Sequence, residues 1–391
     1  MILSVLATPA VLATGYLGVL SLLSKKPPPE ATHAPHWRFD VVVPAHDEKV
    51  GVAATVASLL SMDYPPDLFR VVVVADNCTD DTAERAANAG ANVIVRDEPS
   101  LRGKGYALAH AFDRILYEGR ADAVVVVDAD TVVSPNLLRA VEARLDDGAS
   151  VVQADYEVQN PYASWRTLLM TIAFATAHTL RSRGRERLGV SVGLHGNGMC
   201  FTTALLREAR YDAYSIVEDL EYALRLGEAG HRVVHAGEAR VLGDMPAGEQ
   251  ASRTQRARWE GGRARLIVKH LPRLMGAAIF GDRVALDLAA ELLVPPLATL
   301  AVFVATGLAL STALSLASGV VVMATWAWAA CAALLLAHVA RGWQLSRTGW
   351  RGLAAFAHIP GYIAWKLTLP LRRATHANDE WVRTAREEGH Q

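Results

Sequence analysis

The longest uncharged segment of this sequence limits the fold more than any other feature. Residues 292–340 contain no Asp, Glu, Lys or Arg. That length suits two membrane-spanning helices of about 20 residues each, joined by a tight turn that we place near 311–319. Pro295 and Pro296 predict a kink close to the start of the first of these helices. The sequence therefore predicts a membrane hairpin toward its C-terminal end.

A second uncharged segment, residues 1–24, begins the sequence and is also long enough to cross a membrane. A cleaved signal peptide would carry basic residues before its apolar run, whereas here Lys25 and Lys26 follow it. A signal anchor is the better interpretation. By the positive-inside rule, the N-terminus lies outside and the next segment is cytoplasmic.

Basic residues flank the hairpin on both sides, which places both of its ends in the cytoplasm. These are Arg263, Arg265, Lys269, Arg273 and Arg283 before it, and Arg341, Arg347 and Arg351 after it. The sequence thus predicts a multi-pass protein of the inner (plasma) membrane, with three spans and a cytoplasmic domain between the first two.

Two further segments are typical of helices that lie in the membrane interface. Residues 263–280 mix basic and apolar side chains, and residues 353–371 are apolar and aromatic but are interrupted by Pro360, Gly361 and Lys366. A fourth span over 353–371 would put the basic tail outside, so an in-plane helix is favoured. The predicted order is a transmembrane helix (1–24), a linker (25–37), a cytoplasmic domain (38–262), an interfacial helix (263–283), the hairpin (284–340), and an interfacial helix with a basic tail (341–391).

The cytoplasmic domain alternates short β-branched runs with helix-like segments. Predicted strands cover 39–43, 70–75, 92–95 and 123–127, and predicted helices cover 51–61, 79–89 and 104–117. This alternation is typical of an α/β fold with a doubly wound, mostly parallel sheet. Ligands bind beyond the carboxyl ends of the strands in such sheets. Three of the predicted strands end in polar clusters, which is more than strand termination alone would require.

Composition excludes several other classes of function. The formal net charge is −1, so no concentrated basic face for nucleic acid is expected. The three cysteines are widely spaced and form neither a disulfide framework nor a metal-ligand pattern. The histidines show no zinc spacing.

The carboxylates at the strand ends predict a nucleotide and metal site. Asp128 and Asp130 follow four consecutive valines, and their hard oxygen ligands suit Mg²⁺ or Mn²⁺ bridging the phosphates of a nucleotide. Asp76 is placed to contact the base or ribose. Lys104, at a helix start, suits a donor diphosphate, although a solvated lysine is nearly as good an interpretation. The residues expected to line the same pocket are Pro44, Asp47 and Glu48.

Two later motifs allow both a functional and a structural interpretation. Glu218 and Asp219 open a helix, where acidic residues are favoured in any case, but one of them could take a proton from an acceptor hydroxyl. Gln255, Arg258 and Trp259 lie just before the membrane. There they could grip a phosphate and stack on a sugar ring, or simply form a basic amphipathic helix on the membrane surface.

Taken together, these motifs resemble the membrane-bound family 2 inverting glycosyltransferases, the group that contains cellulose, hyaluronan and poly-N-acetylglucosamine synthases. The matching pieces, in the family's order, are Pro44 to Glu48, Asp76, Asp128-Ala129-Asp130, Gly196-Asn197-Gly198, Glu218-Asp219 and Gln255-x-x-Arg258-Trp259. The resemblance implies a GT-A fold and a nucleotide-sugar donor, most often a uridine diphosphate sugar.

The resemblance also implies roles for individual residues. Asp219 would be the general base, with Glu218 orienting it, and Asp130 with Asp128 would hold the divalent metal and the donor phosphates. Asp76 would contact the nucleotide. A loop from Gly196 to Phe201 would approach the acceptor closely. The residues that would grip the diphosphate and the acceptor end are Gln255, Arg258 and Trp259.

Several alternatives remain open at the level of sequence. His46-Asp47 stands where Tyr or Phe followed by Asn is commoner, and Val217 where Thr is usual, so the donor pocket differs in detail. Three spans are fewer than cellulose synthases carry, so export would need oligomers or an assembly partner. The acceptor is a saccharide or a lipid-linked glycan, and transfer is either processive or single. A nucleotidyltransferase and a non-enzymatic membrane scaffold are the rival classes.

Overall fold

The computed structural model describes residues 2–26, 34–359 and 361, with the side chains of residues 2 and 249–261 excepted. Within those residues the strands are β1 (Phe39–Ala45), β2 (Phe69–Asp76), β3 (Asn92–Arg96), β4 (Ala123–Val126), β5 (Thr131–Val133), β6 (Val151–Val158), β7 (Met199–Thr202) and β8 (Val233–Gly243). The helices are α1 (Ile2–Leu23), α2 (Val52–Leu60), α3 (Thr82–Asn88), α4 (Lys104–Glu118), α5 (Leu137–Asp146), α6 (Trp165–Phe174), α7 (Arg181–Leu188), α8 (Thr203–Glu208), α9 (Glu218–Glu228), α10 (Glu249–Ile279), α11 (Arg283–Leu293), α12 (Leu297–Ser318), α13 (Met323–Ser346) and α14 (Gly349–Ala355). A π-helical turn, Ala175–Leu180, joins α6 to α7, and a 3₁₀ turn, Phe356–His358, follows α14.

One sheet holds the described strands in the order β3-β2-β1-β4-β7-β6-β8-β5. The first four strands of that order run parallel, as the sequence predicted. Beyond them, β7 is antiparallel to both β4 and β6, β8 is parallel to β6, and β5 is antiparallel to β8. The α/β class is confirmed, and the sheet is mixed. Strands as short as β5 and β7 carry too little periodic pattern to reveal their direction in the sequence.

The valine runs explain why the parallel half of the sheet forms. Val41 and Val43 pack into the apolar layer on one face, together with residues of α2 and α5. Val42 lies between them and packs into the layer on the other face, against α4. Successive side chains of a strand point to opposite faces, so a strand that is covered on both sides reads as an uninterrupted apolar run.

Three described helices are long and apolar enough to cross a membrane: Leu3–Leu23, Leu297–Ser318 and Met323–Ser346. The first and the last of them pack side by side and run in the same direction. Their polar contacts join Ser21 Oγ to His338 Nδ1 at 2.7 Å, and Arg341 Nε to Ser24 Oγ at 3.0 Å. These contacts bring the C-terminal ends of α1 and α13 to the same level.

The hairpin differs from its predicted bounds at the start. Its first helix begins at Leu297, and the preceding residues form α11, a separate helix that packs against α9 and α10. Pro295 and Pro296 therefore separate two helices, where the sequence had predicted a kink within one span. Residues before a proline are driven to extended conformations, and Val294 has ψ of 115°. The turn between the spans covers residues 319–322 and shares only Gly319 with the predicted range 311–319, whose other residues are still helical in α12.

The predicted interfacial segment 263–280 belongs to the long helix α10, so the predicted domain boundary after residue 262 falls within one helix. Leu266 and Leu274 are buried against α9 and α11, and Lys269 Nζ lies 3.0 Å from Glu221 Oε1. Much of its apolar face is thus covered by the domain itself. The predicted helix 353–371 begins in α14 and the following 3₁₀ turn, and its residues 360 and 362–371 lie outside the described residues.

The α6–α7 region is an interface element that the sequence did not reveal. It connects the sheet to the spans through α1 and α13. Arg185, on α7, donates to Tyr16 Oη of α1 at 3.0 Å and to Glu291 Oε2 of α11 at 2.7 Å. Tyr16 in turn donates to Asp287 Oδ1 at 2.8 Å. The domain and its membrane helices are joined by this buried network, which we call the Arg185 junction.

The contact between α7 and α1 at Gly184 predicts that a side chain at this position would destabilise the protein. A Cβ at Gly184 would lie 2.8 Å from the backbone oxygen of Leu20 and 2.9 Å from its Cα. Because neither atom can rotate away, Gly184→Val should lower the free energy of unfolding by about 1–3 kcal/mol. The measurement is thermal unfolding of the full-length protein in detergent.

Gly276→Ala is the matched control, since Gly276 is also helical but a Cβ there meets nothing within 4 Å. Replacement of this half-buried helical glycine by alanine should stabilise the helix by up to about 1 kcal/mol, since there is space for the methyl group. Equal melting temperatures for Gly184→Val and the wild type would show that α7 and α1 are not in this contact.

Candidate active site

The three polar strand ends that the sequence singled out lie along one edge of the sheet. β2, β1 and β4 are neighbouring parallel strands, so their carboxyl ends meet at that edge. His46 Nδ1 lies 2.7 Å from the backbone oxygen of Asp76, which ties the loop after β1 to the end of β2. The predicted convergence of these strand ends is observed.

Asp76 is buried and ion-paired with Arg96 Nη1, and it also accepts from Asn77 Nδ2 at 3.1 Å. Arg96 ends β3 and was not identified from the sequence. Asn77 has φ of +50°, which is uncommon for any residue but glycine. The Arg96 contact holds the Asp76 carboxylate at the edge of the sheet, where its predicted contact with a nucleotide stays a prediction.

The loop after β1 supplies the other residues predicted to line this pocket. The Asp47 carboxylate accepts a hydrogen bond from the Thr79 backbone N–H at 2.6 Å, which joins it to the loop after β2. Pro44 lies within β1, in register with Val74, and Glu48 is half-buried. These residues are at the same edge as Asp76, as the sequence predicted.

Lys104 stands at the centre of a group of carboxylates. Its Nζ donates to Asp128 Oδ1 at 2.5 Å and to the backbone oxygen of Gly196 at 2.6 Å, and it lies 4.0 Å from Glu218 Oε1. The start of α4, the end of β4 and the start of α9 therefore converge on one ammonium group. The contact predicted for Lys104 was a diphosphate, and the contacts observed are carboxylates and a carbonyl.

Gly196 also brings Asp219 into this group. Its φ of +79° lies in the left-handed region, and a Cβ there would lie 3.2 Å from Asp219 Oδ2 and 3.6 Å from Lys104 Nζ. A side chain at this position would crowd both charged groups, which gives glycine a physical reason. We call Lys104, Asp128, Asp130, Glu218 and Asp219 the carboxylate cluster.

Burial and mutual repulsion perturb the carboxyl groups of the carboxylate cluster. Burial, followed by the charge of Asp219, raises the pKa of Glu218 above its ordinary value. Burial also raises the pKa of Asp219, with the Leu220 N–H and Lys104 acting in the opposite direction. Burial lowers the pKa of Lys104, but the charges of Asp128 and Glu218 more than offset it, so the net shift is upward. A raised carboxyl pKa makes a stronger base once the proton is lost.

Asp130 is assigned to the carboxylate cluster because its charge acts on the same tyrosine, Tyr156, as the charges of Asp128 and Asp219. Burial raises the pKa of Tyr156, and the charges of Asp128 and Asp130 raise it further, with a smaller contribution from Asp219. The charges of these three carboxylates therefore act on one phenol. Asp128 and Asp130 are both partly exposed, which leaves their oxygens accessible to a ligand.

A set of buried amides holds the cluster in place. Asn197 Oδ1 accepts from the Asp128 N–H at 3.2 Å, and Asn197 Nδ2 donates to Thr131 Oγ1 at 2.8 Å. Gln153 Nε2 donates to the Asn197 backbone oxygen at 2.7 Å, and its Oε1 accepts from the His195 N–H at 3.0 Å. Sequence reasoning missed Gln153. Its signal was a lone amide inside the otherwise apolar start of β6, since a buried amide requires partners.

Gln255, Arg258 and Trp259 lie on α10, and their side chains are outside the described part of the chain. Their predicted grip on the diphosphate and the acceptor stays a prediction. The described part of α10 nevertheless packs against α9, the helix that begins with Glu218.

Comparison with known proteins gives a family match over most of this domain. Residues 35–262 match a family model described as glycosyltransferase-like family 2. Among curated relatives, the "Probable glycosyltransferase YdaM" of Bacillus subtilis is 23% identical over 61% of this chain and 60% of that protein. The "Beta-monoglucosyldiacylglycerol synthase" of Synechocystis is 28% identical over 65% of this chain and 56% of that protein. This chain therefore spans little more than half the length of these two relatives.

One solved structure shows the fold. The mannosyltransferase PcManGT of Pyrobaculum calidifontis, in complex with GDP-Man and Mn²⁺, aligns with a TM-score of 0.50 and 21% identity. The alignment covers 86% of this chain and 98% of that one. The GT-A-type α/β fold implied by the resemblance is confirmed, with the apolar helices at both ends of the chain.

The position of Lys104 predicts a pH-dependent loss of stability in Lys104→Met. Without the ammonium, the carboxylates around it repel each other, and the loss of this partly exposed ion pair and its hydrogen bonds should cost about 1–3 kcal/mol. Lys104 stays charged across pH 5–8 because its pKa is raised, whereas the carboxyl groups with raised pKa take up protons as the pH falls. The loss in melting temperature should therefore be larger at pH 8 than at pH 5.

Lys269→Met is the control, because the Lys269 side chain is 48% exposed where it pairs with Glu221, and a charge that water reaches contributes less to an ion pair than an enclosed one. A loss for Lys104→Met that is no larger than that of Lys269→Met, or that does not depend on pH, would contradict the arrangement of the cluster.

Proposed function

We propose a sugar-transfer function for this chain, which belongs to the glycosyltransferase-like family 2. It moves a sugar from a nucleoside diphosphate donor to a hydroxyl of a saccharide or lipid-linked acceptor. The configuration at the anomeric carbon inverts, which gives a β linkage from an α-linked donor. The product would enter exopolysaccharide or another cell-surface glycan.

The observation that carries this proposal is the carboxylate cluster at the ligand-binding edge of the sheet. Asp128 reaches it from β4, while Glu218 and Asp219 reach it from the start of α9, and Lys104 lies between them. A scaffold has no need for several carboxylates with raised pKa, and such groups are typical of sites that transfer protons.

Asp219 is the proposed general base. Its carboxylate takes the proton from the acceptor hydroxyl as that oxygen bonds to the anomeric carbon. The bond from that carbon to the diphosphate oxygen breaks at the same time, and its electron pair leaves with the nucleoside diphosphate. Glu218 orients Asp219, and the raised pKa of Asp219 matches it to this task.

Asp128 and Asp130 are the proposed ligands of a Mg²⁺ or Mn²⁺ ion. Both are partly exposed carboxylates, and hard oxygen ligands of this kind suit these divalent cations. When bound, the ion would stabilise the negative charge that develops on the diphosphate. The mannosyltransferase PcManGT, which has the same fold, is in complex with both GDP-Man and Mn²⁺.

The donor pocket is proposed along the ends of β1 and β2. Asp76 would contact the nucleotide, and the residues that would line the pocket beside it are Pro44, Asp47 and Glu48. We expect a uridine diphosphate sugar, as the family resemblance implies. The guanosine sugar bound to the structural neighbour makes GDP-mannose the first alternative to test. Lys104 would exchange its carboxylate contacts for the donor diphosphate.

The acceptor side is proposed at α10 and the membrane. Gln255, Arg258 and Trp259 would hold the diphosphate and the acceptor end. The catalytic domain would face the cytoplasm, since Lys25 and Lys26 follow the first span. The relative named "Beta-monoglucosyldiacylglycerol synthase" favours a lipid acceptor as the alternative to a growing polysaccharide.

The first experiment tests the base. Purified membranes containing the full chain are incubated with UDP-sugars and GDP-mannose plus Mg²⁺ or Mn²⁺, and nucleoside diphosphate release is measured. Asp219→Asn should reduce release by at least about 100-fold, since it removes the proton acceptor, while donor binding is kept. Asp113→Asn, at an exposed ion pair with Arg210, is the matched control.

Two results would overturn the assignment in different ways. Activity of Asp219→Asn close to that of the control would exclude Asp219 as the base. Release of pyrophosphate in place of nucleoside diphosphate would identify a nucleotidyltransferase. The size of the labelled product separates processive from single transfer.

The second experiment tests the metal ligands by binding alone. Asp130→Ala should weaken Mn²⁺-dependent binding of the nucleoside diphosphate at least about tenfold, measured by calorimetry with and without a chelator. Asp63→Ala, at an exposed acid, should leave binding unchanged. Binding that does not respond to Mn²⁺ in the wild type would remove the metal from the proposal.

A further inference from the structure

A second cavity lies at the opposite edge of the sheet from the carboxylate cluster. It has a volume of about 760 Å³ and is formed where β6 and β8 begin, at Ser150 and Arg232. β6 and β8 are parallel to each other, and β6 runs in the same direction as β4 because β7 is antiparallel to both. The cavity is therefore at the amino ends of strands whose carboxyl ends face the proposed active site. Its volume is in the range of ligand pockets.

The lining of this cavity carries an excess of positive charge after its internal pairs are counted. Arg144 is neutralised by Glu238 at 2.7 Å, and Arg232 is paired with Glu186. The other basic residues in the lining are Lys25, Lys26, Arg183 and Arg187, and the remaining acid is Asp147. Among the described residues, neither lysine nor Arg187 forms an ion pair.

Arg183 is the most informative of these groups because it is mostly buried. Its side chain is 14% exposed, and its nearest carboxylate, Asp155, is 3.8 Å away. Within the described residues its guanidinium makes no hydrogen bond, and its Nε is fully enclosed. That carboxylate pairs with Arg183 only at this long distance, through Oδ2, while its Oδ1 accepts a hydrogen bond from Thr179 Oγ1 at 2.7 Å. Buried guanidinium donors in proteins nearly always have acceptors.

A second buried group in the same lining also lacks a partner. His235 is 4% exposed, and its Nε2 forms no hydrogen bond with any described residue. Burial, with the charges of Arg183 and Arg144, lowers the pKa of His235 to about 3, so it is a neutral ring beside cations. The cavity lining thus holds an enclosed guanidinium without a hydrogen bond among the described residues, and it has more basic than acidic side chains.

The rim of the cavity lies at the end of a membrane span. Lys25 and Lys26 are the first charged residues after α1, and Ser24 just before them accepts hydrogen bonds from Arg341 at the end of α13. The C-terminal ends of two spans therefore meet at this rim. Basic residues at that level attract the anionic headgroups of the adjacent leaflet.

We propose that this cavity binds the phosphate group of an anionic membrane lipid, with Arg183 as the enclosed contact and Lys25 and Lys26 at the entrance. Guanidinium and ammonium groups are the common protein ligands of phosphate. The site is separate from the carboxylate cluster, so it does not depend on the sugar-transfer proposal. A soluble phosphate has the same chemistry, and the position of the rim favours the lipid.

The experiment measures lipid binding by the full-length protein. The protein is placed in nanodiscs of phosphatidylcholine with a trace of fluorescent phosphatidylglycerol, or is kept in detergent with short-chain phosphatidylglycerol as titrant. The dissociation constant should rise on the order of tenfold in Arg183→Gln and in Lys25→Gln/Lys26→Gln. The double variant guards against misfolding, because both lysines are exposed.

Arg114→Gln/Arg210→Gln is the matched control, since it removes two positive charges from exposed ion pairs that do not line the cavity. Unchanged affinity in the cavity variants, or an equal loss in the control, would overturn the proposal. A further measurement titrates inorganic phosphate into the protein in detergent, without added lipid. Binding as tight as that of phosphatidylglycerol would overturn the lipid assignment in favour of a soluble anion, and much weaker binding supports it.

Discussion

The Arg185 junction fixes how the catalytic half of the molecule meets its membrane half. One guanidinium on α7 donates to Tyr16 of α1 and to Glu291 of α11, and Tyr16 donates onward to Asp287. Each buried charge here has a counter-charge and hydrogen bonds, which is the condition under which burial of ions is tolerated. The charges of Arg185 and Arg181 hold the pKa of Glu291 down to about 2 against the effect of burial. Glu291 therefore keeps its charge through the physiological range, and its contacts with Arg185 and Arg181 tie α11 to α7.

Among the described residues, the two ends of the sheet differ in charge. The carboxyl ends of the strands are acidic, and the amino ends are basic. The carboxylate cluster at the carboxyl ends has an excess of acid around Lys104, which suits a cation and a proton acceptor. The cavity at the amino ends has more basic than acidic side chains in its lining. Most other buried charges described here are paired internally, such as Arg144 with Glu238. Burial of an unpaired charge in a folded domain costs free energy. We therefore expect ligands of opposite charge to bind at these two places.

The sequence predicted the parallel half of the sheet well because its signals are local. Each valine run gave a strand, and each polar residue after it, such as Asp76 or Asp128, marked a strand end. The sequence did not predict contacts between residues that are far apart along the chain. Nothing in the residues around Arg185 reveals that its partners lie 169 positions earlier and 106 positions later. Arg96 and Gln153 were missed for the same reason, since each acts through a partner on another element. The start of the hairpin was misplaced because α11 is as apolar as a span on the face that it buries against α9.

The pairing of α1 with α13 imposes an order on assembly. Ser21 meets His338 and Ser24 meets Arg341, each 317 residues apart. During synthesis α1 leaves the ribosome first, and a whole α/β domain is made before its partner helix exists. Until its partner helices are synthesised, α1 therefore lies in the bilayer or at its surface, and its polar side chains, such as Tyr16, lack their final contacts. Closing so long a loop costs entropy that grows only slowly with length, so the delay is a kinetic constraint more than a thermodynamic one. Docking of α13 against α1 would then be among the last steps of biogenesis, and a ribosome that stalls before α13 would release a chain whose first helix is incompletely packed.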